Sequence, residues 1–450
     1  MYLSRTNRGR SLPTAVMTLC AGAAWAQVPS DSLSSHAETL ATKIQGEVAA
    51  IRGLEFKRPI KADKQSMEEF TAYLDSRIKE SVPEPVRRHY GKIVRKLGLY
   101  RGPEISDFET TVKSVMTSQA GAYYDPDTET FHVLMEGLPE LMLGAFYSHE
   151  LHHGLQDQHF NLTAYMDPKQ SDRSLDGDRR LARQAVVEGE ATYVMSVWTV
   201  MQMTKNPPPR AVMAEMVRVQ SQMDMTQLRA MLQSPQVAEV VGADIKNSVQ
   251  AAGNIPPFII ETLLGAYFKG LAFVFAVEEK GWSEVDRLYR EYPPESTEQI
   301  LHPEKWFARE SPAVFEWQPF AKNAALKQWQ VLDDDVLGEF QWRVIFREQG
   351  LTAAEAEAVS AGWNGDRYAV FKRDNSDAML LLLRTSWDTR ADADEFAAAY
   401  RRLLAVKYAD KAEPSRILQT GNDVLVVEGG ATGSLDALIK FVGQAKKRGE

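Results

Sequence analysis

Cysteine is nearly absent from this 450-residue chain, Cys20 being its sole example. Disulfides are therefore not what holds the fold together, and thiolate ligation of zinc is excluded, which shifts any metal chemistry onto histidine and carboxylate. Basic residues are outnumbered as well, 52 Lys and Arg facing 61 Asp and Glu for a formal charge of −9. Phosphate binding rests on lysine and arginine clusters, so nucleic acid is not an expected partner. Long apolar runs are scarce. The strongest, 258–277, contains Glu261 and Lys269 and is opened by Pro256 and Pro257, which reads as a buried helix rather than a membrane span. Stable membrane insertion is not expected. The chain also lacks internal repeats and a phosphate-binding glycine loop.

What is present is a chain with 44% hydrophobic and 25% charged residues, enough to bury a substantial core in two domains. Residues 1–26 read as a secretory signal. Arg5, Arg8 and Arg10 form its positive region, 12–24 its apolar region, and Ala24-Trp25-Ala26 a cleavage site of A-x-A type. Removing it takes away three arginines and no acid, so the net charge becomes −12. A periplasmic or secreted protein is expected.

Four of the eight histidines fall in SHELHHGLQDQHF, residues 148–160. His149, Glu150 and His153 complete H-E-x-x-H. On a helix, positions four apart share one face a turn apart, so both imidazoles reach one cation while the glutamate sits beside it. Neutral imidazole is a good zinc donor, and a catalytic zinc site takes three protein ligands and leaves the fourth position to water. A carboxylate within hydrogen-bond reach of that water serves as general base, the role for which Glu150 is placed. His152 is about 100° round the helix from His153 and does not share the metal. It reads as a hydrogen-bonding or surface histidine, with a substrate contact as the alternative. Asp157, four residues past His153, stands either where a carboxylate orients an imidazole or at a solvated helix end.

The third ligand must come from another element. RLARQAVVEGEATYVMSVW has the apolar spacing of a long helix, with Glu188-Gly189-Glu190 at its centre. A carboxylate on a buried helix face needs a reason to be there, and for Glu188 that reason is the metal. Glu190 is the competitor, but it points about 200° away, so only one of the two faces the ion. Gly189 allows close approach to another backbone at a cost of roughly 1 kcal/mol relative to alanine.

At these residues the chain resembles the gluzincin metallopeptidases, whose zinc ligands are the two histidines of H-E-x-x-H and a glutamate on the next long helix, often in an E-G-x-A setting. GAYYDPDTETFHVL, SHELHHGLQDQHF, AVVEGEATYV and PPESTEQILHPEKW together are similar to a class of secreted bacterial gluzincin-like proteins, over roughly residues 119–306. The resemblance implies one Zn2+ held by His149, His153 and Glu188, Glu150 as general base, and a zincin-like core. The chain departs from thermolysin-like enzymes at Thr192, where they carry aspartate, and in a longer connection from His153 to Glu188.

Along the rest of the chain, residues 34–51 have amphipathic helical spacing, LEFKRPI (54–60) reads as a short strand, Ser66 with Glu69 forms a capping box, and 85–99 reads as a helix with a basic solvated face. Residues 121–134 read as a hairpin through Asp125-Pro126-Asp127-Thr128, either placed where zincins carry an edge strand that pairs with an extended peptide, in which case the substrate is polypeptide, or merely covering the motif helix. Residues 167–180 read as a polar loop. Tyr267 and His302 are candidate donors to an oxyanion. Beyond about 330, VLDDDVLGEFQWRVIF and AAEAEAVSAGW read as helices, RYAVFKR, AMLLLLRT, RILQT and DVLVVEG as strands and DADEFAAAYRRLL as a helix, with Asp366 in a turn that reaches the site only if the domains face one another. The expected fold is α+β and predominantly helical: a signal at 1–26, a zincin-like catalytic domain with a helical N-terminal region at 27–330, and a smaller α+β domain at 331–450. The expected function is zinc-dependent peptide-bond hydrolysis in the cell envelope or outside the cell. The alternative is a catalytically silent zincin-like binding or scaffolding protein, which has no need of Glu150.

Overall fold

The computed structural model describes residues 34–102, 105, 108–119, 121–134, 139–167, 175–222 and 256–448. The signal expected at 1–26, Cys20 with it, and residues 168–174 of the loop expected at 167–180 lie outside them, while 177–180 are helical rather than loop. The described chain is α+β, with helices predominating. It divides into two compact units. The first comprises the chain up to Pro83, Glu109–Leu175 and Ala182–Pro294; the second comprises Glu84–Phe108, Asp176–Leu181 and Glu295–Glu450. This differs from a single break at 330. The helix Glu84–Leu97 packs on strands of the second unit, and the short helices between 297 and 307 pack there as well, contacts between segments far apart in sequence.

In the first unit, helix α1 (Ser35–Arg52) starts where the Ser34 side chain accepts the Ala37 N–H at 3.2 Å and ends at Gly53 in the left-handed region. α2 (Met67–Ser81) opens with the Ser66/Glu69 capping box. The strand expected at 54–60 instead forms at β1 (Lys61–Lys64), beyond Pro59, where the backbone N–H groups are free to pair. β1 runs parallel to β3 (Thr130–Val133), and β2 (Ala122–Asp125) pairs antiparallel with β3 across the expected hairpin. The order β1-β3-β2 leaves β2 at an edge of this sheet.

The sheet is followed by α5 (Glu140–Phe160), after α3 (Glu84–Leu97) and α4 (Phe108–Gln119). α5 is buried on nearly every side, as its mixture of apolar residues and histidines requires. Asn161 ends it in the left-handed region and caps α6 (Leu162–Met166) by accepting the Ala164 N–H. α7 (Gly177–Thr204), α8 (Arg210–Ser221), α9 (Pro257–Glu278) and α10 (Trp282–Arg290) follow. α9 is long and apolar enough to cross a membrane by length and composition, and half of its apolar window is buried within the fold. One core joins Leu40, Ile44 and Val48 of α1, Tyr124 and Phe131 of the sheet, Leu151 and Leu155 of α5, and Val194 and Trp198 of α7. Each such side chain contributes about 1.5–3 kcal/mol by leaving water. The same contacts fix the faces of α5 and α7 that carry the motif residues.

In the second unit, α11 (Thr297–Leu301) and α12 (Pro303–Phe307) precede a two-stranded pairing of β4 (Phe315–Glu316) with β10 (Lys446–Lys447). The main sheet is antiparallel in the order β5-β6-β7-β9-β8, built from Trp329–Asp335, Trp363–Arg373, Met379–Trp387, Asp423–Glu428 and Ser415–Thr420 respectively. Residues 331–335, expected in a helix, thus form strand β5, and helix begins only at α13 (Gly338–Glu348). The reason is long-range: the acidic run is held by Arg367 and Tyr368 of β6, which bond Asp334 and Asp333 at 2.7 Å each. α14 (Ala353–Ser360), α15 (Arg390–Lys407) and α16 (Leu435–Gly443) complete the unit, Leu438 and Phe441 of α16 packing on Phe371, Leu382 and Val427 of the sheet.

Candidate metal centre

The i, i+4 spacing on α5 puts the rings of His149 and His153 4.8 Å apart and nearly perpendicular. α7 brings Glu188 to both. Glu188 Oε2 lies 3.4 Å from His149 Nε2 and 3.5 Å from His153 Nε2. All three side chains are buried, and their donor atoms lie within 4.8 Å of one another. These separations exceed the 2.7–3.2 Å usual for a hydrogen bond. They match instead two donors sharing an ion: ligands about 2.0–2.1 Å from zinc at the tetrahedral angle stand about 3.3 Å apart. His149 Nδ1, His153 Nε2 and Glu188 Oε1 have no hydrogen-bond partner among the described residues. A buried polar atom without a partner is costly, so this donor set fits a cation.

Burial and neighbouring charge act differently on the two rings. Burial pushes the His149 imidazole down to about 4, leaving it neutral and able to donate a lone pair. Burial also opposes charge on His153, but the adjacent Glu188 carboxylate and that of Glu150 outweigh it and raise the ring. Burial opposes ionisation of Glu188, and the two imidazoles outweigh it, holding the carboxyl below its ordinary range.

Glu150 is fully buried, and its Oε2 accepts the Tyr124 N–H of edge strand β2 at 3.0 Å. Tyr267 stands with its ring 5.8 Å from that of His149, stacked at 21°. His302 belongs to the second unit, where Nε2 faces Glu339 Oε1 at 3.1 Å, a partner that raises its pKa. Asp366 is likewise committed there, accepting from the backbone of Leu337 and Gly338 and from the indoles of Trp342 and Trp363 at 2.8–3.0 Å.

Two expectations on α5 need correction. Asp157 reaches no imidazole: Tyr124 Oη donates to it at 2.9 Å and the Leu162 N–H at 2.8 Å, so it fastens the helix end to the sheet and to α6. His152 is not at the surface. It is fully buried, with Nε2 3.4 Å from Glu190 Oε1.

Glu190 faces the other way from Glu188, into a set of partners that sequence reading missed. Arg52 Nε bonds its carboxylate while Arg52 Nη2 bonds Asp286 at 2.6 Å, and the guanidinium lies 4.4 Å from the Trp282 ring. Gln156 and the Tyr289 hydroxyl complete the set. Burial works against the charge, but Arg52, His152 and Tyr289 outweigh it and hold Glu190 well below the usual carboxylate range. A signal for Arg52 existed. It falls four residues past Val48, on the apolar stripe Ile44-Val48, where a charge must find a buried partner.

In the second unit Glu298, Glu310 and Asp388 also converge, around Lys305 Nζ at 2.6, 2.8 and 2.7 Å. That ammonium already occupies the position a cation would take.

Residues 328–439 match the family described as Domain of unknown function (DUF8575). The match lies within the second unit and includes none of His149, Glu150, His153 or Glu188. No match was found among curated proteins or solved structures.

Proposed function

We propose that the chain is a zinc-dependent peptidase of gluzincin type, with a zincin-like core, acting in the cell envelope or outside the cell. The observation that carries this reading is the convergence of two imidazoles and a carboxylate in a buried site: Glu188 Oε2 stands 3.4 Å from His149 Nε2 and 3.5 Å from His153 Nε2, and His153 Nε2 and Glu188 Oε1 have no hydrogen-bond partner among the described residues. Zinc held by these residues supplies a Lewis acid for the scissile carbonyl and lowers the pKa of water from 15.7 to about 7.

The chain's own residues do the rest. Glu150 takes the proton from the attacking water and passes it to the amine nitrogen as the C–N bond breaks. The Tyr124 N–H, bonded to Glu150 Oε2, fixes the carboxylate's orientation for both transfers. The substrate class is polypeptide, the one whose scissile amide a water activated beside Glu150 would attack. Tyr267, against His149, is the candidate oxyanion donor in this unit.

The test is metal analysis of the purified protein with hydrolysis of an unfolded protein substrate. One zinc per chain is expected, lost in Glu188→Ala. Glu150→Gln is expected to keep the zinc and lose hydrolysis. Metal-free wild-type protein, or turnover retained in Glu150→Gln, overturns the reading.

A further inference from the structure

The imidazole of His153 presents a lone pair toward Glu188 only if its proton sits on Nδ1, and the surrounding hydrogen bonds decide that. His153 Nδ1 is 2.8 Å from Gln156 Oε1. An amide has a donor end and an acceptor end that are nearly alike in shape, so its orientation has to be argued from its partners. The nitrogen end of Gln156 lies 3.1 Å from the Val187 carbonyl oxygen and 2.9 Å from Glu190 Oε2. A carbonyl only accepts, and so does an ionised carboxylate. Turned the other way, the amide would set its oxygen against both. The NH2 group therefore faces Val187 and Glu190, the oxygen faces His153, and His153 Nδ1 must carry the hydrogen.

The structure assigns Gln156 as a positioning residue for the metal centre: with Glu190 and Arg52 it locks His153 in the tautomer that offers Nε2 to the ion. The inference rests on the metal-site reading given above and deepens it. Gln156 also ties α5 to α7 beside the third ligand, because Val187 directly precedes Glu188. Arg52 has its part at the far end, since the guanidinium keeps Glu190 an acceptor and so keeps the amide from turning over. The two imidazoles differ in this respect: His149 Nδ1 has no hydrogen-bond partner among the described residues. Ligating histidines generally depend on a partner at the second ring nitrogen, whose removal weakens metal affinity about ten- to a hundredfold.

The test uses the full chain and two readouts. In the metal-free protein at alkaline pH, where the imidazole is neutral, 15N-resolved NMR of the histidine rings should show His153 as the Nδ1–H tautomer. Gln156→Met keeps the length of the side chain and removes both hydrogen-bonding ends. It should move His153 toward the Nε2–H tautomer and weaken zinc binding about ten- to a hundredfold, measured with zinc alone by competition against a chelator. Gln156→Glu keeps an oxygen at Nδ1 but, ionised at that pH, gives up the donor end that faces Val187 and Glu190. This variant should retain the Nδ1–H tautomer, because an acceptor still faces Nδ1, and should bind zinc more tightly than Gln156→Met. An Nε2–H tautomer in the wild type, or unchanged tautomer and affinity in Gln156→Met, overturns the assignment. The wild-type measurement needs no variant to fold. It also separates the two readings, because an Nδ1–H His153 in a protein that binds no zinc would uphold the lock while ending the peptidase proposal.

Discussion

Replacing Gly189 by alanine should destabilise the first unit although alanine is the better helix former. A Cβ built on Gly189 would stand 2.1 Å from the Gly270 carbonyl carbon and 2.3 Å from its oxygen, and one on Gly270 would stand 2.0 Å from the Ala185 oxygen. All are backbone atoms, so no side chain can swing aside. Ordinary contact begins at 3.4 Å, so α7 and α9 would have to part by roughly 1 Å in an interior packed as densely as a crystal. Overpacking of this kind costs about 1–3 kcal/mol, from which up to about 1 kcal/mol of helix propensity is recovered. Gly46, exposed in the middle of α1 with nothing within 4 Å of its built Cβ, provides the control. Gly46→Ala should gain about 0.5–1 kcal/mol. The two variants, compared by urea unfolding followed by circular dichroism, should differ by about 0.5–4 kcal/mol, Gly189→Ala being the less stable. Because Gly189 adjoins Glu188, zinc affinity should fall in Gly189→Ala and not in Gly46→Ala. Equal or greater stability of Gly189→Ala would show that the helices do not meet backbone to backbone at this point, and with it the placement of Glu188 would lose its support.

Arg52→Met should cost about 3–5 kcal/mol, because it strands a buried Glu190 carboxylate, whereas Arg52→Met combined with Glu190→Gln should recover much of that loss. A single variant within about 0.5 kcal/mol of wild type, the range of ordinary surface changes, would refute the buried pair. In the second unit, burial, reinforced by Asp333, pushes Asp335 up to about 7. The folded state then keeps a proton that the unfolded chain releases near its ordinary 3.8, so this contribution is full below that value and is lost as pH rises to about 7. It is worth at most about 4 kcal/mol at 1.36 kcal/mol per unit, trimmed by the side chain's partial exposure. Asp335→Asn keeps an oxygen for the Gly177 and Val336 N–H groups and should flatten the fall in stability between about pH 4 and 7. An unchanged slope would rule Asp335 out as its source.

Local features were legible in the sequence and distant partnerships were not. The Ser66/Glu69 box, the 125–128 turn and the helices that carry the motif and Glu188 all follow from spacing and capping within a few residues. Helical geometry also told Glu188 from Glu190, since 200° of rotation places them on opposite faces. The strand at 54–60 was misplaced because the partner that sets the register of Lys61–Lys64 is β3, nearly seventy residues on. Residues 331–335 have no strand signal of their own because the side chains that bind their aspartates, Arg367 and Tyr368, lie on β6. Asp157 was the more conspicuous candidate beside His153, yet Gln156, three residues on, is the one whose side chain reaches the ring. That choice is made by Val187, Glu190 and Tyr289, which come from two other helices.

The two glutamates of the VEGE segment pose the same physical problem and meet it differently. Each is fully buried, and a carboxylate without compensation in such a place is too costly to keep ionised. Glu190 is compensated from within the chain by a guanidinium, an amide and a phenol. Glu188 faces two imidazoles at distances too long for good hydrogen bonds, one of them held neutral by burial, while its second oxygen has no hydrogen-bond partner among the described residues. Had the chain needed only a filled interior, an apolar residue would serve at 188 at no desolvation cost. Glu190 cannot be exchanged so freely, because Gln156 and through it His153 depend on its charge. The arrangement makes physical sense if Glu190 exists to orient the site and Glu188 exists to hold something the polypeptide does not itself provide. On the reading proposed above that something is a divalent ion, whose preferred donors are the imidazoles and carboxylate gathered here.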